Sequence, residues 1–115
     1  MNRSKLVDRS FAFALRIIKL SEHLESQRKY VLARQVLRSG TSVGANITEA
    51  QQAESRKDFA HKLGIANKEA FETEYWLKLL RDSGYITNAQ GESLLKDCNV
   101  IQGMLVSALR TLKKK

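Results

Sequence analysis

The stretch "GTSVGANITEA", residues 40–50, decides the fold. Its two glycines, two threonines, serine and asparagine have the look of a loop between two helical runs. Its spacing says otherwise. Ala33, Val36, Gly40, Val43, Ile47 and Ala50 step by 3, 4, 3, 4 and 3, so an apolar seam passes through both glycines without a break. A loop has no reason to keep that period, and the reading is one helix over residues 30–53. Glycine inside a helix costs about 1 kcal/mol against alanine. Gly40 and Gly44 lie four residues apart, on one face, where a missing side chain lets another backbone approach closely. A phosphate-binding loop is excluded: there is no Gly-Lys pair and no strand leading into a G-x-G-x-x-G run.

The same 3-4 rhythm runs outward in both directions. Leu6, Ser10, Phe13, Ile17, Leu20 and Leu24 define a helix over residues 4–25, with Phe11, Leu15 and Ile18 widening its apolar stripe. Phe59, Leu63, Ala66, Ala70, Thr73, Leu77 and Leu80 define a third over 56–83, opened by Ser55 as N-cap and stopped at Gly84. Leu94, Cys98, Ile101, Leu105, Ala108 and Leu112 define a fourth over 87–112, opened by a Thr87/Gln90 capping box. With 115 residues, no proline and short connections, the expected architecture is one all-α domain, an antiparallel up-down-up-down four-helix bundle. The lone Cys98 excludes an internal disulfide framework and reads as a buried, inert thiol. No stretch reaches the roughly 18 apolar residues that span a bilayer, and "MNRSKLVDRS" has no secretory apolar core, so the expectation is a cytoplasmic protein without a membrane partner.

The motif-bearing stretch Val36–Leu80 carries R-x-x-T-S-x-x-x-N-x-x-E, then S-x-x-D-F, then K-E-A-x-E-T-x-Y-W-L. It resembles a bacterial family of four-helix-bundle proteins known as 23S rRNA intervening-sequence proteins, and the resemblance extends at the level of helices over the whole chain. A more distant similarity is to the accessory variability protein of diversity-generating retroelements, a pentameric barrel that binds nucleic acid and partners a reverse transcriptase. That resemblance implies a homo-oligomer, a pentamer above all, with RNA or DNA and a nucleic-acid enzyme as candidate partners.

Charge adds a reading of its own. The formal net charge is +8, and residues 1–38 alone carry +6. Arg9, Arg16, Lys19, Arg28, Lys29, Arg34 and Arg38 are the candidate nucleic-acid-binding residues. Helix 1 and helix 4 are neighbours in such a bundle, so helix 1, the start of helix 2 and the "KKK" tail would form one basic surface that attracts polyanions. A second stripe on helix 2, with Ser39, Ser42, Asn46 and Glu49, is polar. It must be solvated, bonded to Lys62, Lys68, Glu69 or Thr73 of helix 3, or paired with another subunit. Tyr75 and Trp76 fall off the seam, at a bundle edge or a subunit contact.

Enzyme readings are weaker. Arg56 and His61 form an R-x4-H arrangement similar to a ribonuclease motif, in which His moves a proton and Arg stabilises phosphorane charge. The plainer role is two solvent-facing residues around Phe59. Glu69, Glu72 and Glu74 lack the Glu-x-x-His partner of a di-metal bundle and read as structural ion-pairing groups. The expectation is a non-enzymatic, basic bundle with no cofactor and no metal. A structural protein-interaction module without polyanion affinity is the alternative.

Overall fold

A computed structural model describes the backbone of residues 2–114 and the side chains of residues 5–114. Four helices follow one another: α1 Asn2–Ser26, α2 Tyr30–Ala50, α3 Arg56–Asp82 and α4 Asn88–Lys113. Each packs antiparallel on its predecessor, and α4 returns to α1, in a rod of 47 × 21 × 20 Å. One end carries the start of α1, the α2–α3 turn and the end of α4. The other carries the α1–α2 and α3–α4 turns.

The seams fill the core. Phe13, Ile17, Leu24, Ile47, Leu63, Leu77, Leu80, Ile101 and Leu105 are fully buried. The helix ends follow local chemistry. Ser55 accepts the Asp58 N–H at the start of α3, and Thr87 and Gln90 close a reciprocal capping box at the start of α4. Gly84 takes φ +81°, with Tyr85 N–H donating to the Leu80 carbonyl and Gly84 N–H to Arg81, the bond pattern of a Schellman stop. Arg28 ends α1 in the same way at φ +63°, without being glycine.

Two expectations are corrected. α2 stops at Ala50, not residue 53. Gln51, Gln52 and Ala53 close bonds three residues back, to Thr48, Glu49 and Ala50, so the last turn tightens before the extended backbone that Ser55 needs as a cap. Phe11, Leu15 and Ile18 do not widen the core stripe of α1: they are 66%, 51% and 39% exposed.

The glycine seam brings α1 and α2 together. A Cβ on Gly40 would stand 2.8 Å from both Cγ atoms of Ile17, and one on Gly44 would stand 3.3 Å from the Ser10 carbonyl oxygen. Opposite this tight contact, the α1–α4 seam is the loosest of the four helix pairs. It is clasped at mid-length by Arg16, whose Nη1 lies 2.6 Å from Asp97 and whose Nη2 donates to Ser93 Oγ at 3.0 Å. On either side of the clasp the seam opens into a groove.

Candidate functional site

The polar stripe of α2 faces α3. Ser39 Oγ lies 2.9 Å from Thr73 Oγ1, with both residues buried. Arg38 reaches Glu69 at 3.3 Å, pairs with Glu72, and also donates to Gln35. Glu72 in turn accepts the Trp76 indole N–H at 3.0 Å. Lys62 pairs with Glu49 at 3.1 Å. Ser42 Oγ and Asn46 Nδ2 turn back on their own helix, to the Arg38 and Ser42 carbonyls. In an antiparallel pair these contacts fall at matching distances from the α2–α3 turn, so one register satisfies them all. The motif residues that looked like a site thus form an intrachain lock between two helices. Lys68 is exposed and makes no ion pair among the described residues. Tyr75 packs edge-on against Trp76 at 5.2 Å and remains exposed, at the bundle edge.

Several of the expected nucleic-acid-binding residues already have partners within the chain. Arg38 is held by two carboxylates, and Arg16 is held by Asp97. Lys29 Nζ sits 4.4 Å above the Tyr85 ring, a cation–π contact, and Lys19 lies 3.9 Å from Glu22. Arg9, Arg28 and Arg34 are exposed, with no carboxylate within salt-bridge range among the described residues.

The single basic surface is also corrected. Arg28, Lys29 and Arg34 stand at one end of the 47 Å rod, and the C-terminal tail stands at the other. The tail end gathers Lys5 and Arg9 from α1, Arg56 and Lys57 from α3, and Arg110, Lys113 and Lys114 from α4, all exposed. Among the described residues, the side-chain carboxylates of that end are Asp8, Glu49, Glu54 and Asp58. Glu49 is taken by Lys62, and Asp58 accepts the Glu54 N–H inside the α3 cap. Lys57 and Arg110 are the functional candidates that charge counting along the sequence missed. Lys57 lies in a helix that is nearly neutral overall and Arg110 stands just before the basic tail, and only the meeting of α3's start with α4's end makes them neighbours.

The larger groove opens at this same end. About 690 Å³ in volume, it has a floor of Leu6, Phe59, Leu63, Met104, Ala108 and Leu112. Among the described residues Lys5 and Arg9 are its charged lining, and no carboxylate lines it. Arg56 donates to the Leu112 carbonyl at 3.3 Å, tying α4's last turn to α3, while His61 is exposed on the following turn. Arg56 therefore has a structural partner that accounts for it.

On the α3–α4 side, Glu74 accepts from Gln102 Nε2 at 2.9 Å and pairs with Lys78 at 3.2 Å. The Gln102 bond, then Lys78, hold its carboxyl below the ordinary value, against the opposing effect of burial. Cys98 Sγ lies 3.3 Å from the Ala70 carbonyl, and burial first, then Glu74 and Asp97, push its thiol up to about 12. Such a thiol is no nucleophile. No helix among the described residues is long and apolar enough to cross a membrane.

A family model described as 23S rRNA-intervening sequence protein matches residues 2–107. Among solved structures, a protein with unknown function from the S23 ribosomal protein family of Bacteroides thetaiotaomicron is 50% identical, with a TM-score of 0.93 over 96% of this chain and 99% of that one. No curated protein matches.

Proposed function

This chain belongs to the 23S rRNA-intervening sequence protein family, and from that premise we propose that it is a non-enzymatic, homo-oligomeric bundle whose basic end holds RNA or DNA. Binding there is electrostatic: exposed lysines and arginines replace the counterions of phosphates and read no sequence. One observation carries the reading. Lys5, Arg9, Lys57, Arg110 and Lys113 converge on one end of the rod with no carboxylate partner among the described residues, whereas Arg16, Arg38, Lys62, Lys78 and Arg81 are neutralised within the fold. A nucleic-acid enzyme, such as a reverse transcriptase, is the class of protein partner that the more distant resemblance adds.

The test is charge reversal at each end. Lys57→Glu, Arg110→Glu and Lys113→Glu together should weaken retention of a labelled single-stranded RNA or DNA at about 50 mM salt by tenfold or more. Arg28→Glu with Arg34→Glu, at the opposite end, should change it by less than about threefold. Equal effects of the two sets, or no binding by the unaltered protein, would defeat the reading in favour of a purely structural interaction module.

A further inference from the structure

The outward face of α3 has a periodicity of its own. Lys57, His61, Gly64, Lys68, Phe71 and Tyr75 step by 4, 3, 4, 3 and 4, on the side of the helix opposite its buried Ala66, Ala70, Thr73 and Leu77. Phe71 and Tyr75 are 52% and 56% exposed and stand one turn apart, about 6 Å along the axis. Lys57 belongs to the basic end, so the row leads from that end to the two rings. Gly64 keeps the way open, with nothing within 4 Å of where its Cβ would stand. Tyr75 is also held in place. Its ring meets the Trp76 ring edge-on at 5.2 Å, the Trp76 indole N–H donates to Glu72 at 3.0 Å, and Glu72 is paired with Arg38.

We propose that this face binds single-stranded nucleic acid, with unpaired bases stacked on Phe71 and Tyr75 and phosphates held by Lys57 and Lys68. This rests on the proposed function and deepens it: the strand gripped at the basic end continues along α3 with its bases unpaired. Stacking on an aromatic ring accepts any base, because every base has a π-face, and so agrees with binding that reads no sequence. A duplex keeps its base faces inside the stack and offers the rings nothing. From Lys57 to Tyr75 the row covers about 27 Å, roughly eight nucleotides at the spacing of a stacked strand.

Charge selects this occupant. The carboxylates beside the row are already engaged: Glu69 and Glu72 by Arg38, Glu74 by Gln102 and Lys78, and Asp82 by Arg81. Lys57 and Lys68 make no ion pair among the described residues. Lys68 and Lys78 bracket the rings, whereas the core of a protein–protein contact is depleted of charge. The exposed row of α1, Phe11, Leu15 and Ile18, is bracketed instead by Asp8 and Glu22, which repel phosphates.

The test separates bases from phosphates. Two probes of about 12 nucleotides are compared at about 50 mM salt: an oligouridylate RNA and an abasic strand with the same number of phosphates. The unaltered protein should bind the oligouridylate tenfold or more tighter. Trp76 is the single tryptophan and touches Tyr75, so its fluorescence should fall with the oligouridylate and hold with the abasic strand. Phe71→Ala with Tyr75→Ala should abolish the preference and leave abasic binding within about twofold. Both rings are exposed, so circular dichroism should show unchanged helicity. Phe71→Tyr with Tyr75→Phe keeps both rings and should keep the preference. Equal binding of the two probes, or a preference that survives the alanine pair, overturns the stacking and leaves the phosphate grip of the basic end standing. Failure of the unaltered protein to bind either probe overturns both, and leaves the aromatic row to a protein partner.

Discussion

Ser39 and Thr73 share a buried hydrogen bond of 2.9 Å at the middle of the α2–α3 contact, where neither residue reaches solvent. Thr73 also donates to the Glu69 carbonyl at 2.7 Å, which can only accept, so its one proton serves the backbone and its oxygen accepts from the Ser39 hydroxyl. Thr73→Val would leave the Ser39 hydroxyl buried without its partner. The expected loss is about 1–3 kcal/mol in a denaturant melt. Ser39→Ala combined with Thr73→Val should cost less than the two single changes added together, because both remove the same bond. Additive losses would show that the two hydroxyls act independently.

Gly40 and Gly64 make opposite predictions for the same substitution. An alanine Cβ at position 40 meets Ile17 at 2.8 Å inside the core, and overpacking of that kind costs about 1–3 kcal/mol, more than the helix propensity gained. At position 64 nothing lies within 4 Å, so Gly64→Ala should gain up to about 1 kcal/mol from propensity alone. Thermal melts of the two variants that moved in the same direction would contradict the packing described for the opening stretch.

Glu74 gives the α3–α4 contact an acid-sensitive bond. Its carboxyl titrates below the ordinary 4.5 when folded, chiefly because Gln102 donates to it. A depressed carboxylate adds stability that is fully present above the unfolded value and is lost as pH falls through the folded one. Unfolding followed from pH 6 down to pH 3 should therefore show a decline beginning near pH 4.5, and Glu74→Gln should flatten part of it. A decline of unchanged steepness in that variant would assign the acid sensitivity to other carboxylates.

Cys98 should be silent. With its thiol pushed up to about 12, roughly one part in ten thousand is thiolate at pH 8. A thiol-specific chromogenic reagent should label the unfolded chain quickly and the native protein only as fast as it opens. Rapid labelling of the native protein would mean that α4 does not bury this face against α3.

The fold was legible because its information is local. Steps of 3 and 4 survive a glycine pair, a Ser55 cap and a Gly84 stop, and each needs only near neighbours in the chain. The end of α2 was not, since its three-residue turn answers to the backbone that the next helix requires. The candidate site was legible in part. Thr73, Glu69 and Lys62 were foreseeable partners for the polar stripe, because an antiparallel hairpin pairs residues equidistant from its turn. Asp97, which takes Arg16 from a helix 81 residues away in the chain, gave no such signal. Phe11, Leu15 and Ile18 looked like added width on the core stripe because periodicity reports that apolar residues share a face, and leaves open which faces a neighbour covers.

The central claim is that the basic end holds nucleic acid through its phosphates, and its salt dependence is the most direct test. Binding of single-stranded RNA should be followed as salt rises from about 50 to about 200 mM, where each phosphate contact contributes about −0.7 to the log–log slope. Three or more contacts predict a slope near −2 or steeper, and Lys57→Glu with Arg110→Glu should reduce it by at least one contact's worth. An affinity that does not change with salt, or a slope untouched by the two substitutions, would contradict the account.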